Sequence, residues 1–119
     1  MSETKVKASA LPNFFQWAKD LFTPDTVGSL HGKGLVFFKE GRFAEAEKAY
    51  EKIIQLDLCS ALGWNNKGRA LSAMGRHEEA LRAYEIASYL DPGSEVARRN
   101  RRAVLAKLGR HREAKDLSP

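Results

Sequence analysis

Apolar residues in this chain recur at three- and four-residue spacing, not in strict alternation. Ala46, Ala49, Tyr50, Ile53 and Ile54 fall on one face of a helix and the polar residues between them on the other. Glycine and proline divide this pattern into helical segments. Gly41 separates a helix near 24–39 from one at 43–56, with Thr23-Pro24-Asp25 supplying a capping oxygen, a preset φ and a carboxylate at the start of the first. Ser60 caps a helix running to about Ala73, Met74-Gly75 stops it, and a further helix runs from about His77 to Leu90, where Pro92-Gly93 ends it. Small residues at Gly34, Ala46, Gly68 and Ala80 let paired helix axes approach closely.

Sliding the chain on itself by 34 residues shows why the segments look alike. Gly41-Arg42-Phe43-Ala44-Glu45-Ala46 stacks on Gly75-Arg76-His77-Glu78-Glu79-Ala80 and again on Gly109-Arg110-His111-Arg112-Glu113-Ala114. The same shift superposes Gly34 on Gly68, Phe37 on Leu71 and Leu105, Tyr50 on Tyr84 and Asp57 on Asp91. Each copy reads as two helices.

At these residues the chain resembles the tetratricopeptide repeat family, whose 34-residue unit carries a Trp-x2-Leu-Gly-x2-Tyr, Ala-x3-Phe and Pro pattern. Trp64, Gly68, Leu71, Gly75, Ala80, Tyr84, Ala87 and Pro92 stand in the matching slots of the second copy. In the first copy Leu30, Lys33 and Leu58 replace the Trp, Leu and Pro; in the third, Arg98, Arg101 and Arg102 take the Trp, Leu and Gly slots. The resemblance implies an all-α right-handed superhelix, with repeats at about 27–60 and 61–94 and a partial third at 95–117. It implies a non-enzymatic interaction scaffold with a concave groove, and Trp64 and Tyr84 buried within the second pair.

Residues 1–23 precede the repeats. Leu11, Phe14, Phe15, Trp17, Ala18, Leu21 and Phe22 form the apolar face of a short helix at about 12–22. A cap over the first repeat is the expectation, because solenoid ends expose apolar surface unless covered. Insertion into a groove, its own or a neighbour's, and binding to a membrane surface are the alternatives. Left uncovered, the aromatics would drive self-association.

Composition narrows the class. No apolar run approaches the roughly 18 residues of a membrane span, and the start lacks the apolar core of a secretory signal, so a cytoplasmic protein is expected. Cys59 is the single cysteine, which excludes an internal disulfide and suits a small buried hydrophobe. Of the net charge of +5, all resides in residues 95–119, which hold 8 Lys/Arg against 3 Asp/Glu.

Catalytic chemistry finds little support. His77 and His111 share one repeat slot on successive helices, so they do not converge, and His31 stands alone. There is no Ser-His-Asp order, HExxH or phosphate loop, and no cofactor or metal is expected. Glu45, Glu47, Glu78 and Glu79 open second helices, where carboxylates favour the dipole and solvent.

In the family the first helix of each pair faces the groove. The 34-residue register then sets His31, Asn65 and Arg99 in one row, Leu35, Arg69 and Ala103 in the next, and Phe38, Ser72 and Ala106 behind. Arg69 and Arg99 are suited to a carboxylate, and Leu35 and Phe38 to an apolar side chain, so a peptide, acidic in character, is the expected ligand. One subgroup of the family grips chaperone C-termini with two Lys, two Asn and an Arg. The corresponding slots here hold His31, Leu35, Asn66, Val96 and Asn100, of which only Asn66 matches, which argues against that clamp.

The alternative function is RNA binding through Arg98-Arg99-Asn100-Arg101-Arg102. No aromatic is interleaved to stack bases, so Arg98, Arg101 and Arg102 are expected instead to form a basic end face that stops further stacking. Val96, Ala97, Ala103, Val104 and Leu108 are left as the inward stripe of that helix.

Overall fold

The computed structural model describes residues 25–110. These form five helices: α1 (Val27–Lys39), α2 (Phe43–Leu56), α3 (Ala61–Ala73), α4 (His77–Leu90) and α5 (Glu95–Lys107). No strand occurs among the described residues. The segment at 12–22, His111 and the end of the third repeat lie outside them.

Each two-helix unit turns in the same way. Gly75 stands at φ +81°, a left-handed conformation that only glycine adopts without strain, and Gly41 and Gly109 match it at +77° and +75°. The residue after each glycine donates its N–H back to the helix it leaves: Arg42 to Phe37 O at 2.8 Å, Arg76 to Leu71 O at 2.9 Å and Arg110 to Leu105 O at 2.8 Å. The arginine then braces the next helix. Arg76 chelates Glu79 through Nε and Nη2 at 2.8 and 2.7 Å, and Arg42 holds Glu45 in the same two-pronged way. Both carboxyls are held below the ordinary glutamate range by these bonds. Glu47 accepts from Arg76 at 3.2 Å and Glu78 lies 3.8 Å from Arg110 Nη1, so these carboxylates are ion-paired where the sequence suggested free solvation.

Units are joined by equally regular caps. Ser60 accepts from Gly63 N and Ser94 from Ala97 N. The first helix starts later than expected, because Thr26, not Thr23, is its cap and exchanges a reciprocal capping box with Ser29.

The interior is made by the periodic residues. Ala46, Ala49, Tyr50, Ile53 and Ile54 are all buried, as are Ala80, Leu81, Ala83, Tyr84 and Ala87 in α4. Leu30, Ala46, Tyr50, Ile53 and Ala70 form one cluster; Leu71, Ala80, Tyr84, Val104 and Leu105 belong to the next. The arrangement is an all-α helical-repeat solenoid.

Three expectations are corrected. Trp64 is only partly buried: its indole N–H donates to Leu58 O at 3.0 Å, which keeps the ring at the edge of the second cluster. Cys59 is exposed, since it lies in the α2–α3 connection, where its N–H bonds Asp57 Oδ1 and its side chain has no helix to face. On α5 the buried positions are Ala97, Val104 and Leu105, whereas Val96 and Ala103 are exposed, because the contact with α4 is centred one position further round the helix.

Candidate functional site

A cavity of about 400 Å³ runs across the first helices of all three units. His31 and Leu35 come from α1, Leu62, Asn65, Asn66 and Arg69 from α3, and Val96, Arg99 and Asn100 from α5. The spacing explains the convergence: residues three and four apart share a helical face, and the 34-residue repeat presents that face again on the next unit. The structure thus brings together five of the residues placed in the groove by register, His31, Leu35, Asn65, Arg69 and Arg99, along with Asn66. Phe38, Ser72 and Ala103 are not part of its lining. Phe38 packs edge-on against Phe43 at 5.0 Å, Ser72 Oγ lies 3.4 Å from His77 Nδ1, and Ala103 is exposed further along α5.

Leu62 was not singled out by the sequence, although it precedes Asn65 and Asn66 on one helical face and continuing the row one turn back would have reached it. It is 53% exposed and Val96 is 47% exposed, so with Leu35 each first helix offers one aliphatic side chain to the cavity. Exposed aliphatics in a concavity mark contact surface more often than solvent-facing ones scattered singly.

The polar groups are arranged differently from one another. Asn65 Oδ1 accepts from Asn100 Nδ2 at 3.0 Å, which ties the second unit to the third across the cavity floor. Asn66 is 4% exposed, and its amide forms no hydrogen bond among the described residues. A primary amide carries two donors and an acceptor, and because the buried unpaired side-chain atoms among the described residues are those of Arg101 and Arg102, the amide of Asn66 opens on the cavity.

Cationic charge comes from two arginines. Arg69 and Arg99 line the cavity beside His31, with no carboxylate among its lining residues. The Arg69 guanidinium carbon lies 4.7 Å from the centroid of Phe38, so Phe38 serves as the platform for Arg69. Arg69 also lies close enough to the phenols of Tyr50 and Tyr84 to pull their pKa down, against burial, which pushes both up and takes Tyr84 to about 12. Neither Arg69 nor Arg99 has an ion-pair partner among the described residues.

The arginine run of α5 is divided by its surroundings. Arg98 donates to Glu95 at 2.8 Å and Arg101 to Glu85 on α4 at 3.4 Å; Arg102 is half-buried, and the Nε atoms of Arg101 and Arg102 are buried without an acceptor. Arg101 therefore lies at the α4–α5 junction and is not a free end-face cation.

Among the described residues no three His, Cys, Asp or Glu side chains assemble as a metal site. Ser72 and His77 form a hydroxyl–imidazole pair, but among the described residues His77 has no carboxylate partner to orient it as a base. No described helix is long and apolar enough to cross a membrane.

A family model described as tetratricopeptide repeat matches residues 31–95. Among solved structures, the second such domain of Spaghetti bound to an HSP90 peptide, SRMEEVD, is 31% identical, with a TM-score of 0.73 over 76% of this chain and 84% of that one. The TPR2B domain of yeast Sti1, in a complex with pHsp70, is 21% identical with a TM-score of 0.75, covering 76% and 73% of the two chains. The Yersinia enterocolitica type III secretion chaperone SycD, in complex with a peptide of the translocator YopD, is 20% identical with a TM-score of 0.75, covering 80% and 72%. The last two share the fold. No curated protein sequence matches the chain.

Proposed function

We propose that this chain, which belongs to the tetratricopeptide repeat family, is a protein-interaction module that binds an extended acidic peptide along α1, α3 and α5. The observation that carries this reading is the lining of the cavity: Arg69 and Arg99, neither ion-paired among the described residues, with no carboxylate beside them. The Asn66 amide, which also lines the cavity, can exchange hydrogen bonds with a peptide backbone, which offers one donor and one acceptor per residue. Around it, Leu35, Leu62 and Val96 suit an apolar side chain, and Arg69 and Arg99 suit a carboxylate.

The Spaghetti domain, at 31% identity, holds a peptide rich in carboxylates, which supports the acidic character of the ligand. The mode of grip differs in this reading. Aliphatic Leu35 and Val96 stand where a C-terminal clamp needs polar groups, so the carboxylate is taken by Arg69 and Arg99, from a side chain within the peptide. RNA is the weaker reading, since two of the end-face arginines are engaged by Glu95 and Glu85.

Fluorescence anisotropy with labelled peptides tests this. An acidic peptide with a central leucine should bind better than its lysine-substituted or amidated-acid counterpart, and capping its C-terminal carboxylate should change little. Equal binding of all three sequences would remove the proposal.

A further inference from the structure

One slot of the repeat marks where each unit meets the unit before it. In the second unit it holds Lys67, which bonds Glu51 on α2; in the third it holds Arg101, which bonds Glu85 on α4. Both pairs are separated by 16 residues and join a first helix to the second helix of the preceding unit. In the first unit the slot holds Lys33. No described helix precedes it, and Lys33 instead bonds Asp25 at 3.2 Å.

The side of the first unit that carries Lys33 is an open cavity of about 430 Å³ between α1 and α2. Leu30, Phe37 and Ala49 contribute apolar walls, and Lys33, Glu45, Lys48 and Lys52 the rim. We propose that this cavity is a docking surface for the chain's own residues 12–22, which seat Phe14, Trp17, Ala18 and Leu21 against it as a cap and leave the peptide groove free.

Two observations select this occupant. First, the chain enters α1 at the cavity: Asp25, the first described residue, is fastened to both Lys33 and Lys52 at 3.2 and 3.6 Å, and these bonds hold its carboxyl below the ordinary aspartate range. Phe22 lies three residues before Asp25, within roughly 10 Å of extended chain. A tethered segment this close competes at high effective concentration against any free partner.

Second, the apolar face next to the cavity in sequence lies in this segment, where Phe14, Trp17, Ala18 and Leu21 match the apolar walls of Leu30, Phe37 and Ala49. The segment is not a copy of α2. Gln16, Lys19 and Asp20 fall in the register of Tyr50, Ile53 and Ile54, which pack on Gly34 of their own unit and on Gly63 of the next, so neither contact of α2 is carried over and the segment docks through its separate apolar face. A terminal cap has one neighbour to cover, and one apolar face suffices.

Single-cysteine variants of the full chain in a Cys59→Ser background test the proposal. The Ala18→Cys thiol should be alkylated about tenfold or more slowly than the Gln16→Cys thiol, as protection by a docked face requires. Paired with Lys48→Cys on the cavity rim, Ala18→Cys should form an intramolecular link with a short bismaleimide; paired with Leu62→Cys in the peptide groove it should not. Equal alkylation rates at 16 and 18 would overturn the docking. A link to the Leu62→Cys position would make the segment a groove occupant, and covalent dimers would make the occupant a second copy; either result contradicts the assignment.

Discussion

A β-carbon added to Gly68 would stand 2.6 Å from Cε1 of Tyr84, closer than two carbon atoms can approach. The identical relation, at 2.5 Å, joins Gly34 to Tyr50. In each unit the missing side chain on the first helix is the space that the tyrosine of the second helix fills, and this sets the distance between the helices. Gly68→Leu should therefore destabilise the fold by ~1–3 kcal/mol, the usual range for overpacking. Chemical denaturation measures it; an unchanged midpoint would contradict this account of the packing.

Burial of Tyr84 also has a pH consequence. Its phenol is pushed up to about 12 from an ordinary value of 10.0, chiefly by desolvation. Below pH 10 the phenol is protonated in both states. Between 10 and about 12 the unfolded chain releases the proton while the folded chain keeps it, so stability falls as pH rises through that window. Tyr84→Phe should leave the neutral-pH melting temperature close to the parent's and flatten its decline above pH 10. Parallel pH curves for the two proteins would show that this phenol does not contribute.

Much of this was legible because a repeat states each structural rule more than once. Gly41 and Gly75 announce a left-handed turn in each unit, and both occur, whereas the carboxylates of Glu45 and Glu79, read as solvated, are chelated by the arginine after each glycine. The groove rows rested on the family's placement of the first helices together with the repeat register; His31, Leu35, Asn65, Arg69 and Arg99 of those rows line the cavity, and Phe38, Ser72, Ala103 and Ala106 do not. What register could not supply was how wide that face is. Leu62, one turn before Asn65 and Asn66 on the same face, also lines the cavity, so that face reaches the first turn of α3. Phe38 illustrates the same limit: its position on α1 was legible, but its role as the platform for Arg69 required knowing where a residue 31 positions away would lie. Cys59 was misjudged because residue type argues for burial, whereas its place in a short connection decides exposure.

The arginine run gives a prediction with the opposite sign from its composition. With Arg98 and Arg101 held by Glu95 and Glu85, few of its cations are free to release counterions from a phosphate backbone. Single-stranded RNA should bind only weakly and lose that binding as salt rises to physiological strength. Neutralising Arg98, Arg101 and Arg102 together should change the salt slope by less than the nearly one unit per residue that three phosphate contacts would give. Sub-micromolar RNA affinity at physiological salt, abolished by that triple change, would favour the nucleic-acid reading instead.

Charge selectivity at the proposed peptide site across α1, α3 and α5 rests on Arg69. Calorimetric titration of an acidic peptide with the parent protein and with Arg69→Glu tests it most directly, with circular dichroism to show that the helices are retained. Arg69→Glu should lose ~1.5–3 kcal/mol in binding free energy, as expected when a charge-assisted hydrogen bond becomes a repulsion, and recover part of it when the acidic residues of the peptide are replaced by lysine. An affinity unchanged by Arg69→Glu in a folded protein would contradict it.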